Sequence, residues 1–260
     1  MLSLVSVSVS LSKKQIVRDI SLNAKAGDVT AIVGPNGSGK TTLLRAVTGE
    51  VDYNGSITIN GDEVRKLSPM EQASRRGVLP QSSVVAFPFT VLEVVGLGRK
   101  NAVGKRPLKD VMKGALEEVG LQDFGPRIYN ELSGGEQQRV QLARVLFQIG
   151  TATDSDNPKW LLLDEPVSSL DIRHQLLIMN KSSEFAARGG GVVAIMHDLN
   201  LTAMFADQMC MLRQGEVVAV GPPADVFTSL NVRRVFDCDL KVGVVPSAQE
   251  PFVLPQSARS

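Results

Sequence analysis

The sequence predicts an α/β fold, and three patterns along its 260 residues support this prediction. Strand patterns dominate the first third, helical patterns dominate residues 82 to 155, and short apolar runs elsewhere end at polar residues. Such runs are typical of buried strands in a parallel sheet, where ligand sites lie at the strand ends. We therefore expect a sheet-based core, a β-rich N-terminal part and a mainly helical middle.

The β-rich part opens with an alternating pattern. From Val5 to Ser12, valine or leucine alternates strictly with serine, as expected of a strand with one exposed face. Ile16 to Leu22 continues in this style, and Ile57 to Ile59 ends at the turn pair Asn60-Gly61. Val29 to Val33 is continuously apolar, which indicates a buried strand.

Helix-start signals become frequent in the middle of the chain. Ser68 with Glu71 and Thr90 with Glu93 fit the capping box, in which the two side chains satisfy free backbone N–H groups. Apolar residues then recur at helical spacing between residues 111 and 119 and stop at Gly120, a natural helix end. Residues 82 to 155 are therefore predicted to form a mainly helical lobe.

The composition limits the classes of function. Twenty-eight basic and twenty-seven acidic residues leave a formal charge of +1, so no overall field favours binding to nucleic acid. No apolar run approaches the roughly 20 residues of a membrane-spanning helix. The N-terminus lacks the pattern of a signal peptide, which predicts a cytoplasmic location. Cys210 and Cys238 lack metal-ligand spacing and are expected to be reduced, partly buried thiols.

A glycine-rich loop follows the buried strand Val29 to Val33 and leads into a helix, which is the setting that a phosphate-binding loop requires. Its glycines allow backbone N–H groups to surround a β-phosphate, Lys40 neutralises phosphate oxygens and the Thr41 hydroxyl suits Mg²⁺. The sequence thus predicts ATP binding with Mg²⁺. The loop comprises Gly34, Pro35, Asn36, Gly37, Ser38, Gly39, Lys40, Thr41 and Thr42.

Two adjacent carboxylates end a second apolar run, Trp160 to Leu163. Asp164 is expected to hold Mg²⁺ through a water molecule, and Glu165 to polarise the attacking water as general base. An acidic pair after a strand is common on its own, but beside a phosphate-binding loop it indicates nucleotide hydrolysis.

A further motif separates the classes of phosphate-loop protein. Leu132-Ser133-Gly134-Gly135-Glu136 begins a helix with a capping box and forms a second anion-binding helix end. It resembles the signature of the ABC-transporter ATPase family, with Glu136 in place of the usual glutamine. The resemblance implies that Ser133, Gly134, Gly135 and Glu136 contact the γ-phosphate of an ATP held by a second subunit, and hence a head-to-tail homodimer.

Other positions of that family also match. Gln81 corresponds to the glutamine that faces Mg²⁺ and the attacking water, on a loop that touches the membrane partner. Residues 168 to 171 resemble the D-loop, with Ser169 in place of alanine and Asp171 expected at the nucleotide. His197 resembles the switch histidine at the γ-phosphate, whereas His174 is expected to be a helix-surface residue.

One departure from the family concerns the base of the nucleotide. The family usually stacks adenine on an aromatic side chain, and the matching position is Leu11, with no aromatic residue before Tyr53. The stacking contribution of about 0.5–1.5 kcal/mol would then be absent. We expect hydrolysis to persist with weaker discrimination between ATP and GTP.

The resemblance implies a phosphate-loop NTPase (RecA-like) core with an antiparallel β-subdomain and an inserted α-helical subdomain. It also implies a domain over residues 1–242, with residues 1–81 and 156–242 as catalytic lobe, 82–155 as helical signature lobe, and 243–260 as a tail. A single cassette without a membrane segment is the layout of an importer subunit, peripheral to the cytoplasmic face of the inner membrane. Residues 86–95 resemble the importers of cofactor chelates, most closely those of haemin. The implied partners are a permease and, indirectly, a substrate-binding protein.

Alternatives stay open at this point. A ferric siderophore or cobalamin is the alternative cargo within the same branch. A soluble ABC ATPase acting on DNA or ribosomes usually carries a coiled-coil insertion or two fused cassettes, and neither pattern occurs here. A phosphate-loop kinase or GTPase has no use for the motif from Leu132 to Glu136.

Overall fold

The structure is a computed structural model that describes residues 1–81, 83, 85–98, 107–154, 157–168, 170–246 and 251–258. The strands follow in chain order: β1 (Leu2–Leu11), β2 (Lys14–Ala24), β3 (Val29–Val33), β4 (Asn54–Ile59), β5 (Asp62–Glu63), β6 (Arg76–Leu79), β7 (Thr153–Asp154), β8 (Asn157–Pro158), β9 (Trp160–Asp164), β10 (Gly191–Ile195), β11 (Gln208–Arg213) and β12 (Glu216–Gly221).

The helices likewise follow in chain order. They are α1 (Lys40–Val47), α2 (Pro69–Arg75), α3 (Val91–Gly96), α4 (Leu108–Glu118), α5 (Gly134–Ile149), α6 (Ile172–Ala187), α7 (Leu199–Phe205), α8 (Pro223–Val226) and α9 (Ser229–Phe236). Ser68, Thr90 and Ser133 each form both hydrogen bonds of a capping box, at α2, α3 and α5. These predicted helix starts are confirmed.

One sheet is antiparallel, in the order β2-β1-β4-β5. Its first strand corrects the predicted alternation, because β1 advances three residues from Leu4 to Val7 while β2 advances only two. Ser6 has a φ of 50°, which marks a β-bulge. Val5 is therefore 55% exposed, and its predicted place on the same face as Val7 is wrong. The bulge restores the buried face from Val7 onward.

The other large sheet has the order β12-β11-β3-β10-β9-β6, and its strands are parallel apart from β12. All residues of β3, β9 and β10 are buried, as their apolar runs predict. Trp160 at the start of β9 donates from Nε1 to Oδ1 of Asn60, at 3.0 Å, and thereby joins the two sheets. This mixture of parallel and antiparallel sheets with helices confirms the predicted α/β fold class.

Helices α3, α4 and α5 lie between β6 and β9 in the chain and share one apolar core with the central sheet. The predicted bounds of the lobes stay a prediction, and Ser169 lies outside the described residues. Within the polar segment from Thr151 to Pro158, the short strands β7 and β8 pair in antiparallel fashion. None of the helices in the described ranges is long and apolar enough to cross a bilayer.

The C-terminal tail, for which the sequence offers no prediction, includes a 3-10 turn at Pro255–Ala258. Gln256 donates from Nε2 to the carbonyl oxygen of Asn200 in α7, at 2.9 Å. Cys210 is fully buried in β11, which raises the pKa of its thiol to about 12, whereas Cys238 is exposed. The expectation of two partly buried thiols is therefore wrong for Cys238.

Candidate functional site

The glycine-rich loop connects β3 to α1 at the carboxyl edge of the central sheet. Gly39 is the N-cap of α1 and has a φ of 100°, a conformation that suits glycine. A Cβ at Gly34 would lie 2.2 Å from the carbonyl oxygen of Leu212, so no larger residue fits there. The loop therefore leaves the first N–H groups of α1 directed at the space where a phosphate would bind.

Lys40 reaches back across this loop. Its Nζ donates to the carbonyl oxygens of Gly34 and Pro35, at 2.8 and 3.1 Å, and the residue is 5% exposed. Burial lowers the pKa of Lys40, while the carboxylates of Glu165 and Asp164 partly offset that effect. The ammonium is thus held at the loop with little water around it, where its charge acts strongly on an anion.

The turn between β11 and β12 supports the loop from the side. The N–H group of Gly215 donates to the carbonyl oxygen of Ser38 at 2.9 Å, and its own carbonyl accepts from Arg18 at 2.8 Å. A Cβ at Gly215 would lie only 2.2 Å from the carbonyl oxygen of Ile16 in β2. Backbone contacts thus fix the loop between two sheets, which no pattern in the sequence indicates.

Thr41 and Asp164 meet at the edge of the loop, where Oγ1 of Thr41 donates to Oδ1 of Asp164 at 3.4 Å. Together with Gln81 they line a cavity of about 220 Å³. Burial, followed by the charge of Glu165, raises the pKa of Asp164. A cluster of hydroxyl, carboxylate and amide oxygens is the donor set that Mg²⁺ prefers, so these residues fit the ion that the sequence implies.

Glu165 is held by both neighbours that the sequence assigns to the site. Gln81 donates from Nε2 to Oε2 at 2.8 Å, and Nε2 of His197 lies 2.5 Å from Oε1. Glu165 also has a φ of 51°, an unusual value for a residue with a side chain. The two contacts bring Gln81, Glu165 and His197 together and orient one carboxylate.

Gln138 contributes a further contact that sequence reasoning missed. It lies on α5, and its Nε2 donates to the main-chain carbonyl oxygen of Glu165 at 3.1 Å. A glutamine within an amphipathic helix carries no signal of such a bond, because the acceptor is a backbone atom far away in the chain.

The helix end at Ser133 lies apart from the loop. Ser133 donates from N and from Oγ to Oε2 of Glu136, at 2.8 and 2.7 Å, and these bonds lower the pKa of Glu136. Both glycines that follow belong to the first turn of α5, and a Cβ at Gly134 would meet nothing within 4 Å. In the described part of the chain, Ser133 and Glu136 form no hydrogen bond with the phosphate loop.

Two other predicted site residues take local roles within this chain. Asp171 is the N-cap of α6, where Oδ1 accepts the N–H group of His174 at 2.9 Å. Leu11 ends β1 opposite Lys14 and packs, partly buried, against the core of the antiparallel sheet. Their expected contacts with a nucleotide stay predictions.

Comparisons with known sequences identify the family of this chain. A family model described as "ABC transporter" matches residues 17–168. The "Hemin import ATP-binding protein HmuV" of Rhizobium meliloti (strain 1021) is 55% identical over 254 residues, which cover 97% of each chain. The protein of the same name from Bartonella henselae is 49% identical and covers all of this chain and 98% of its own. The family resemblance predicted from the motifs is confirmed.

Solved structures share the fold. An ATP-binding subunit of an ABC transporter superposes with a TM-score of 0.77 at 22% identity, covering 92% of this chain and 94% of its own. A dimeric ATP-binding cassette in a post-hydrolysis state with ADP and Pi gives a TM-score of 0.73 at 26% identity, covering 85% and 98%. The predicted phosphate-loop ATPase core is therefore confirmed.

Proposed function

Because this chain belongs to the ABC transporter family, as one of its ATP-binding subunits, we propose that it energises the import of haemin across the inner membrane. Family membership makes the chain an ABC-type ATPase. The observation that carries the haemin assignment is similarity along almost the whole length to proteins named for hemin import. The location on the cytoplasmic face of that membrane belongs to the same proposal.

In this proposal, the loop from Gly34 to Thr42 cradles the β-phosphate of ATP with backbone N–H groups and with the N-terminus of α1. Lys40 exchanges its two carbonyl partners for phosphate oxygens when the nucleotide binds. Leu11 provides an apolar contact for the base. Thr41, Gln81 and Asp164 would hold Mg²⁺, which would neutralise charge on the phosphate oxygens.

Glu165 acts as the general base that orients the attacking water. Gln81 and His197 fix its two oxygens and thereby restrict the carboxylate to one orientation. Since hydrolysis spreads negative charge over the γ-phosphoryl group, Lys40 and His197 stabilise the transition state electrostatically.

A second copy of the chain completes each site. The helix end from Ser133 to Glu136 is exposed and offers free backbone N–H groups at the start of α5. These groups bind the γ-phosphate of the ATP that the partner's phosphate loop holds. Asp171 approaches the same seam. Closure around two ATP molecules moves a permease through the segment after Gln81, and hydrolysis removes the bridging charge so that the pair reopens. A substrate-binding protein acts indirectly through the permease.

Glu165→Gln tests the catalytic part of this proposal. The variant keeps the shape of the side chain but cannot accept a proton, so turnover should fall by at least about 100-fold while ATP still binds. Size-exclusion chromatography with light scattering should then detect an ATP-dependent dimer. Normal turnover by this variant would contradict the assignment of Glu165 as base.

Uptake by the complex reconstituted in vesicles with its permease and binding protein tests the cargo. With the ATPase and ATP inside the vesicle, radiolabelled haemin added outside should accumulate in the lumen. Glu165→Gln should abolish that accumulation. Transport of a ferric siderophore or cobalamin in preference to haemin would contradict the cargo while leaving the ATPase assignment intact.

A further inference from the structure

Gln138 connects two parts of the molecule that handle different nucleotides. It lies on α5 about one and a half turns after Ser133, the residue that begins the helix. Its Nε2 donates to the carbonyl oxygen of Glu165, which follows directly on β9. One rigid helix therefore carries both the end expected to bind the partner's ATP and a bond to the general base of its own site.

The backbone at Glu165 is held in an unusual conformation. A positive φ of 51° in a residue with a side chain is strained and persists only where the surroundings enforce it. The N–H group of Glu165 donates to the carbonyl oxygen of Ile195 at 3.2 Å, and Oγ of Ser168 donates to the Glu165 carbonyl oxygen at 3.2 Å. Gln138 donates a slightly shorter hydrogen bond to the same oxygen, at 3.1 Å, from helix α5.

A cleft of about 200 Å³ lies beside this bond. It is lined by residues of the segment around Gln81 on one side and by Gly134, Gln137 and Gln138 of α5 on the other. Because Gln138 belongs to α5, its contact with Glu165 depends on the orientation of that helix.

We propose that Gln138 is a positioning residue that couples the alignment of Glu165 to the orientation of α5, which the partner's ATP holds. This proposal rests on the proposed role of Glu165 as base. ATP bound at Ser133 holds α5, α5 holds the Glu165 peptide through Gln138, and the carboxylate of that subunit then faces its own water. Each site thereby senses whether the other is occupied, and hydrolysis becomes cooperative in ATP.

Gln138→Met tests the link, because methionine has a similar length but cannot donate. Gln137→Met is the matched control, since Gln137 lies next to it on α5 and donates instead to Tyr129 and Leu132 within the helical part. We expect kcat to fall about 10-fold in Gln138→Met with KM for ATP within about twofold, because misplacement of a catalytic group reduces rate more than binding. The Hill coefficient should fall towards one, whereas Gln137→Met keeps parental values. Parental kcat and cooperativity in a folded Gln138→Met would overturn the proposal.

Gln138→Glu provides a second readout that does not depend on the methionine variant. An ionised glutamate cannot donate to the Glu165 carbonyl, but a protonated one can. The activity of Gln138→Glu relative to the parent should therefore rise as the pH falls from about 8 to about 6, because the nearby carboxylate and partial burial raise the pKa of the new side chain. A ratio independent of pH would show a structural role alone and overturn the positioning role.

Glu165→Gln separates this proposal from the function on which it rests. If Glu165→Gln is inactive while Gln138→Met hydrolyses ATP cooperatively at the parental rate, the base assignment stands and the link fails. If Glu165→Gln turns over normally, the function of the site itself is wrong.

Discussion

Asp164 and Glu165 are adjacent carboxylates at the buried end of β9, and their proximity disfavours ionisation of Asp164. Burial raises the pKa of Asp164 and the charge of Glu165 raises it further, while Thr41 and Lys40 act in the opposite direction. A divalent cation beside these two carboxylates would relieve their repulsion, because its charge is opposite to theirs.

Asp164→Asn should therefore stabilise the nucleotide-free protein. A carboxyl group whose pKa is raised by folding stabilises the fold below its unfolded-state pKa of about 4, and that contribution is lost as pH rises through the folded-state pKa. At neutral pH we expect the variant to raise Tm by about 2–4 °C, the effect of about 1 kcal/mol in a protein of this size. The gain should shrink as the pH approaches about 4.

Differential scanning fluorimetry across this pH range checks the expectation, with Asp123→Asn at an exposed turn as the control. A lower Tm for Asp164→Asn at neutral pH would contradict the assigned direction.

Leu11→Tyr should restore the missing aromatic contact with the base. Stacking is worth about 0.5–1.5 kcal/mol, so the variant should lower KM for ATP by about 2- to 10-fold. Leu11→Val serves as the control, because it keeps an aliphatic side chain at the end of β1. Steady-state kinetics with ATP and GTP should show similar turnover of both nucleotides by the parent protein, and a strong preference of the parent for ATP would refute the predicted role of Leu11.

At the level of elements, the same capping box begins α2, α3 and α5 but serves different purposes. Ser68 and Ser133 make equivalent bonds to Glu71 and Glu136. Helix α2 has no buried residue, whereas α5 packs through the core of the helical part. The box at α5 therefore begins a packed helix and leaves its N-terminus exposed, where the proposed anion site lies.

Ser68→Ala and Ser133→Ala separate these two roles. Loss of either cap should reduce the free energy of unfolding by about 0.5–2 kcal/mol, measured by urea denaturation. Only Ser133→Ala should also weaken ATP turnover, because its helix end is expected to contact the partner's γ-phosphate. Equal ATPase activity in the two variants at protein concentrations that favour dimers would argue against that contact.

The sequence predicts those elements whose signal is local. The capping boxes, the buried strands β3, β9 and β10, and the phosphate loop follow from short patterns, and the structure has all of them. The bulge at Ser6 is not predictable in this way, because it depends on how β1 pairs with β2. The contact of Gln138 with Glu165 cannot be predicted from the sequence either, because every type of residue has a backbone carbonyl that can accept such a bond.

At the scale of the whole molecule, the proposed ATP site consists of two halves that a second copy of the chain would bring together. Lys40 lies in one half and Ser133 in the other, and a head-to-tail pair would join the halves twice. Because ATP would bind to both halves at once, its binding would shift the equilibrium from monomer to dimer, and the dimer fraction would then report ATP binding.

Mixing two variants tests the shared site, with Glu165→Gln present in both to prevent turnover. Lys40→Ala and Ser133→Arg should each fail to dimerise with ATP, because every site then lacks one half. A mixture of the two should form mixed dimers that hold one complete site, detectable by light scattering. Absence of dimers in the mixture, while Glu165→Gln alone dimerises, would contradict the head-to-tail arrangement.

The position of Trp160 has an optical consequence. It is the single tryptophan of the chain, it is fully buried, and its indole N–H group donates to Asn60, in the turn that follows β4. The carboxylates lie at the far end of the same strand. The wavelength of its fluorescence emission should therefore stay short and constant while nucleotide is added. It should shift to longer wavelength when the two sheets separate, so Trp160 is an intrinsic fluorescence probe of unfolding.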